Sequence, residues 1–413
     1  MKRNVLIIGA GGVAQVVAHK CAHHNDVLGD LHIASRTKAK CDAIVASVQE
    51  KAAMKVPGPF STHQLDAMDS AAVAALIRDT GCQIVINVGS AFINKYVLEA
   101  CIETGAAYID TAIHEEPDKI CETPPWYANY EWKRKEACRE ASVTAILGAG
   151  FDPGVVNAYA RLAADDYVEE VESIDIVDIN AGSHGKYFAT NFDPEINFRE
   201  FTGTVYAWQN GNWTENKMFE VGREWDLPVV GKQKAYMSGH DEIHSLAANY
   251  PQADVRFWMG FGDHYINVFT VLKSLGLLSE KPVTTAEGQE VIPLKVVKAV
   301  LPDPASLAPG YTGKTCIGDL VKGKTGGKPV EVFIYNVADH KDAYEEVGSQ
   351  GISYTAGVPP VAAAILVAGG TWDTGTMVNV EELDPHPFLG LLNVMGLPTS
   401  IRDANGDRPL SFD

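Results

Sequence analysis

Along the first 150 residues, short apolar runs alternate with longer stretches whose apolar positions recur every three or four residues. That period belongs to a helix packed on one side. Strands are predicted at residues 4–8, 31–35, 60–65, 83–87, 107–110 and 144–147, and helices at 12–24, 38–51, 69–79, 94–104 and 126–140. The run Gln83-Ile84-Val85-Ile86-Asn87 is apolar on both faces, as a strand covered on both sides must be. Asp69 stands where an N-cap belongs and Gly105 where a helix stops. The order defines an α/β fold with a Rossmann-type doubly wound parallel sheet, whose ligands sit beyond the carboxyl ends of the strands.

The texture changes after Gly150-Phe151-Asp152-Pro153-Gly154. From about Val171 the chain is rich in strand-like and aromatic segments, and Asn210-Gly211 between 205–208 and 213–216 predicts a hairpin. Val330, Val332 and Ile334 alternate with Glu331, Phe333 and Tyr335, which predicts another strand. A length of 413 residues suits two domains. We divide the chain into a dinucleotide-binding domain (1–150), a second α+β domain for substrate binding and dimerisation (151–355), built on a mostly antiparallel sheet, and a C-terminal segment (356–413) returning to the first. Within that segment residues 357–370 read as a buried helix with Pro359-Pro360 in its first turn.

Charge and cysteine usage narrow the partners. A formal charge of −19 repels nucleic acid and anionic membrane, and attracts small cations where it does not serve solubility alone. The seven cysteines form no CxxC pair, and six of them fall in the first 150 residues, which reads as small buried apolar side chains in a reducing cytoplasm. No metal site is predicted, because no two pairs of ligands stand at zinc spacing. The apolar runs are shorter than the roughly 18 to 20 residues of a membrane span, and no export signal is read at the N-terminus.

The cofactor signal lies in Gly9-Ala10-Gly11-Gly12-Val13-Ala14, a GxGxxA turn that follows an apolar strand and opens a helix. Gly9 allows the tight turn, Gly11 removes a Cβ from the path of a pyrophosphate, and Ala14 keeps helix and strand close. Free N–H groups at the helix start, from Gly12 and Val13 onward, then face the phosphates. NAD enzymes place a carboxylate at the end of the second strand; this chain has Ser35-Arg36-Thr37 there. A guanidinium binds a 2′-phosphate that a carboxylate would repel, so the expected cofactor is NADPH. The plainer alternative makes Arg36 an exposed helix-start residue. Asn87-Val88-Gly89, ending the fourth strand, would border the nicotinamide side or form an ordinary turn. Asp66 would border the adenine or sit in solvent.

These segments also carry a resemblance. IIGAGGVAQVVAHKCA, IASRTKAKC, INVGSAFINKYVLEACIETGAAYIDTA and ILGAGFDPGVVNAYARLA, in this order, resemble the saccharopine dehydrogenase-like reductases, and ISYTAGVPPVAAAIL fits the same superfamily. The resemblance covers nearly the whole chain. It is nearest to the branch that condenses L-aspartate β-semialdehyde with a diamine, 1,3-diaminopropane or putrescine. That branch reduces the imine with NADPH to carboxynorspermidine or carboxyspermidine, in polyamine biosynthesis. The resemblance also implies that Phe151, Asp152 and Pro153 floor the active site, with Phe151 and Pro153 beside the cofactor.

Such chemistry needs a positioned acid–base group, and Asp152 and His114 follow strand ends. Each has a bland reading: Asp152 as turn chemistry before Pro-Gly, His114 as a surface loop residue. Arg199 and Arg223 are the expected partners of a substrate carboxylate. His240, Asp241 and Glu242 are expected near the ammonium ends, in a segment that opens a helix. A saccharopine reductase, with a pocket richer in arginine than in carboxylates, and a non-catalytic NADP(H) sensor are the rival readings. A homodimer is expected by analogy with the fold alone.

Overall fold

The computed structural model describes residues 2–116 and 123–412. The parallel strands are β1 (Val5–Ile8), β2 (Leu31–Ser35), β3 (Phe60–Gln64), β4 (Ile84–Asn87), β5 (Ala107–Asp110) and β6 (Ala145–Leu147). Helices α1 (Gly12–His23), α2 (Lys38–Glu50), α3 (Ser70–Thr80) and α4 (Asn94–Thr104) connect them. The sheet order is β3-β2-β1-β4-β5-β6, with every pairing parallel, so the chain reverses direction between β1 and β4. Asp69 caps α3 as expected, accepting from the amides of Ala71 and Ala72 at 3.0 and 3.1 Å. Strands β1, β4, β5 and β6 are fully buried because helices cover both faces, while the edge strand β3 is half-buried.

Two helix expectations fail. Residues 126–140 form two short 3-10 turns, Trp126–Asn129 and Glu131–Arg134, before α5 (Lys135–Ala141). Tyr130 between the turns, at φ −136° and ψ −63°, breaks the ladder. The helix expected at 357–370 instead starts six residues earlier, as α12 (Gly351–Gly369), so Pro359 and Pro360 lie mid-helix. Their missing N–H groups leave the Thr355 and Ala356 carbonyls without the usual donor. α12 is long and apolar enough to cross a membrane, yet 83% of its apolar window is buried within this fold. It packs on α1 so closely that a Cβ on Gly357 would stand 2.7 Å from Val16.

α6 (Val155–Asp166) leads from the first sheet to a second of ten strands. At its centre β7 (Glu170–Asn180) pairs antiparallel with β15 (Lys314–Thr325), which pairs with β16 (Lys328–Asp339). On its other side β7 runs parallel to β12 (Asp254–Gly260), the one parallel pair in a sheet otherwise antiparallel. The predicted hairpin forms from β8 (Thr204–Gln209) and β9 (Asn212–Lys217), with Trp208 opposite Trp213. β10 (Gly222–Leu227) and β11 (Gly231–Ser238) extend the sheet beyond β12, while a two-stranded ribbon, β13 (Val283–Thr284) with β14 (Glu290–Val291), stands apart. Two helices matter for the site, α7 (Pro194–Thr202) and α8 (Glu242–Asn249); α9 (Asp263–Ser274), α10 (Pro293–Val300) and α11 (His340–Val347) follow before α12.

The last residues divide between the two sheets. β17 (Met377–Asn379) joins the parallel sheet beside β6, whereas β18 (Thr399–Asp403) and β19 (Gly406–Pro409) extend the other sheet from β16. Glu381 ties the layers, accepting from Asn157 on α6 at 2.9 Å and from Asn249 on α8 at 3.0 Å. The six described cysteines are buried and free; Cys121 lies outside the described residues.

Candidate active site

The crevice for a dinucleotide forms where β1 meets α1. Gly9 sits at φ +127°, and a Cβ there would meet the Val88 carbonyl at 2.7 Å, so only glycine closes this turn. A Cβ on Gly11 would meet nothing within 4 Å, which is the open approach a phosphate needs. Gly12 faces Ser353 at the start of α12, and Ser349 donates to the Gly12 carbonyl at 3.1 Å. Ala14 is fully buried against the sheet, while Val13 is half-buried. At the end of β2, Ser35 is held by Thr37, and Arg36, Thr37, Lys38 and Lys40 are all exposed. These residues fit an NADP nucleotide: bare glycine backbone for the pyrophosphate and an exposed guanidinium for the 2′-phosphate. Asp66 is also exposed there, its carboxylate accepting from the Met68 amide.

The rim across β4, β5 and β6 is a hydrogen-bonded unit. Asn87 donates to Asn94 at 2.8 Å and accepts from the Gly89 amide at 3.3 Å, so its side chain is engaged within the rim. What this strand end turns outward is the backbone about Val88 and Gly89. Asp110 accepts from the Gly148 amide at 2.7 Å and from Tyr108 at 2.8 Å. Burial pushes its carboxyl up to about 7.

Beyond β6 the chain turns through Phe151-Asp152-Pro153-Gly154. Gly154, at φ +136°, packs so tightly that an added Cβ would overlap the Gly150 carbonyl at 2.1 Å. Phe151 is buried, edge-on to Tyr159, and Pro153 is buried beside it. Asp152 is half-buried, and the charges of Asp178 on β7 and of His240 act on it. Burial first, and then the Asp178 charge, raise Asp152 well above the carboxylate range; His240 opposes this only in part. Asp178 is raised by burial to about 6.

His240 stands over this pair. Its ring stacks on Phe257 (4.0 Å between centroids, 10° between planes) and its Nδ1 lies 2.5 Å from Glu242. Burial lowers its pKa, but Glu242, Asp152 and Glu200 together outweigh that and raise it well above 6.5, which favours the charged form of the ring. Glu242 is 0% exposed, and its second oxygen has no partner. Asp241 accepts from the Ile113 amide at 2.6 Å, fastening α8 to the loop after β5. A cavity of about 60 Å³ opens between that loop and the second sheet, lined by His114, Arg199, Glu200, His240 and Asp241 among others.

The other expected residues divide. His114 is buried, not a surface loop residue, and both ring nitrogens are engaged, by the Ala91 carbonyl (3.0 Å) and by Glu116 (3.2 Å). Arg199 lines the cavity but is gripped by Glu280 and Glu115. Arg223 is elsewhere: it stacks on Trp225 and Trp258, at 3.4 and 4.9 Å. Trp258 follows Phe257 along β12 and so points to the opposite face of the sheet from His240. Sequence reasoning missed Asp178 and Glu200. A signal existed for the first: in β7, Asp178 repeats the phase of buried Ile174 and Ile176, a charge where the pattern demands an apolar residue. Glu200, next to buried Phe201 on α7, carries no such mark.

A glycine-floored nucleotide crevice, opening on a cavity lined by proton-holding groups from a second domain, defines a nicotinamide-dependent oxidoreductase. The chain belongs to the saccharopine dehydrogenase family: its NADP binding domain matches residues 5–146, and the family's C-terminal domain matches residues 150–397. It is an NADP-dependent oxidoreductase of that family. It is 45% identical to a carboxynorspermidine synthase of Vibrio alginolyticus over 98% of both chains. It is 44% identical to one of Vibrio cholerae, again over 98% of both. A carboxyaminopropylagmatine dehydrogenase of Synechocystis is 42% identical, over 95% of this chain and 96% of its own. Among solved structures, saccharopine dehydrogenase (L-Glu forming) from Saccharomyces cerevisiae shares the fold, with TM-score 0.71 and 14% identity over 97% of this chain and 100% of that one.

Proposed function

We propose that this chain joins L-aspartate β-semialdehyde to a diamine, 1,3-diaminopropane or putrescine, and reduces the resulting imine to carboxynorspermidine or carboxyspermidine. NADPH bound at the glycine turn would supply the hydride. The observation that carries the reading is the set of buried carboxyls around one imidazole. Asp152, Asp178, Glu200 and Glu242 outnumber the one basic ring among them, and a cationic amine brought there favours ionisation of carboxyls that burial otherwise keeps protonated. A saccharopine reductase would need guanidinium groups for an extra dicarboxylic end, and Arg199 is already paired with acids.

The amine must attack as a free base, and the carbinolamine must lose water. Asp152, kept protonated by burial and by Asp178, delivers a proton to the departing hydroxyl. A positioned acid of this kind contributes a factor of about 10² to 10⁴. Glu242 fixes the imidazole through Nδ1 and leaves Nε2 as the donor that holds the substrate in place. The relative of Synechocystis favours a second reading with the same chemistry, in which the amine ends in a guanidinium. Absorbance of NADPH at saturating aldehyde, crossing these amines, lysine and glutamate against aspartate semialdehyde and a lysine-derived aldehyde, separates the readings. The diamines with aspartate semialdehyde are expected to turn over. Turnover with glutamate alone overturns the assignment, and NADPH binding with no turnover on any pair supports the sensor.

A further inference from the structure

Glu200 has no role in moving protons or in holding the nucleotide, yet it lines the cavity, and Asp152 is not among the lining residues. It projects from α7, and its Oε2 is buried without a partner. A second orphan, Glu242 Oε1, lies on a side chain that is 0% exposed in the same cluster. Buried carboxylate oxygens without donors are costly unless a ligand completes them. The charges that act on Glu200 are His240, Asp241, Glu115 and Glu242, so its surroundings run from the imidazole outward into acids. Arg199, one position earlier, is turned to Glu280 and Glu115 and leaves the Glu200 oxygen uncovered. The cavity is narrow, about 60 Å³, which suits the compact head of a primary ammonium better than a planar guanidinium fork.

Resting on the reading above, we propose that Glu200 binds the far ammonium of the diamine and thereby sets both the demand for a second positive charge and the preferred chain length. The order along the cleft is then Asp152 and Asp178 at the reacting end, His240 and Glu242 between, and Glu200 at the far end. A charge-assisted bond in such a place changes affinity by roughly ten- to a hundredfold.

The test compares 1,3-diaminopropane, putrescine and propylamine, each with aspartate semialdehyde and NADPH, in wild type, Glu200→Gln and Glu200→Asp. For Glu200→Gln the KM for 1,3-diaminopropane is expected to rise roughly ten- to a hundredfold, and that for propylamine several-fold at most. Glu200→Asp draws the carboxylate back by one methylene, so the kcat/KM ratio of putrescine to 1,3-diaminopropane is expected to rise several-fold. Equal losses for diamine and monoamine, or none for either, would overturn the assignment. Calorimetric titration of 1,3-diaminopropane into each protein carrying NADP+ gives the same comparison without turnover. A wild type that binds the diamine through Glu200 but consumes no NADPH therefore counts against the reaction and for the subsite.

Discussion

We propose that Arg36 selects the cofactor. It lies exposed just after β2, where a guanidinium would attract the 2′-phosphate that a carboxylate would repel. Arg36→Ala is expected to weaken NADPH binding about ten- to a hundredfold and leave NADH nearly unaffected, as read by fluorescence titration. Equal losses for the two nucleotides would remove the argument. The place of this residue after β2 was legible in the sequence because a local motif, strand then turn then helix, fixes its address, and the place of Asp152 after β6 was legible for the same reason. Asp178 and Glu200 were not, since their meaning comes from the charges of Asp152 and His240, each tens of residues away in the chain. The misplacement of Arg223 has the matching cause: its strand was foreseeable, its face was not.

At the scale of elements, the parallel sheet was readable because each strand is an apolar run and each helix has its own stop. Residues 126–140 misled because charged and apolar positions alternate at a helical period across Tyr130, where the backbone departs from the helix. α12 misled in the opposite way, through prolines that mark a helix start in most sequences and here lie within it. The turn before α6 permits a sharp test. Gly154 takes a conformation that L-residues rarely adopt, and its neighbour carbonyl fills the place of a Cβ. Gly154→Ala is expected to cost about 3 kcal/mol or more, lowering Tm and disturbing the Asp152–Asp178 contact. An unchanged Tm with full activity would contradict this account of the turn.

For the whole molecule, the buried acids set how stability follows pH. Asp178 and Asp241 near 6, Asp110 near 7 and Glu200 near 8 keep protons in the folded chain that unfolded carboxyls release near pH 4. The folded state binds the extra protons, so this stabilisation is complete below pH 4 and is lost as pH rises through the folded values. His240 acts in the same direction. His19 and His340, lowered to about 4, and His244, lowered to about 3, act oppositely, adding stability as pH rises through about 6.5. Above pH 7 that gain is complete and the carboxyls dominate. Between pH 7 and 8.5 the protein without ligands is expected to lose about 1 kcal/mol, with a falling Tm in calorimetry. Saturating diamine should flatten the decline by neutralising Glu200. A Tm that climbs over this interval would show that the acids are ionised already.

The division of the last residues between the two sheets bears on how the protein is made. While the ribosome is still adding residues beyond about 370, β6 lacks its outer neighbour β17 and β16 lacks β18. Both edges stay open until residues 377–403 have been added, because the strands that cover them follow β6 and β16 in the chain by many residues. A nascent chain arrested at that point presents two unsatisfied borders, each a template for pairing with another chain.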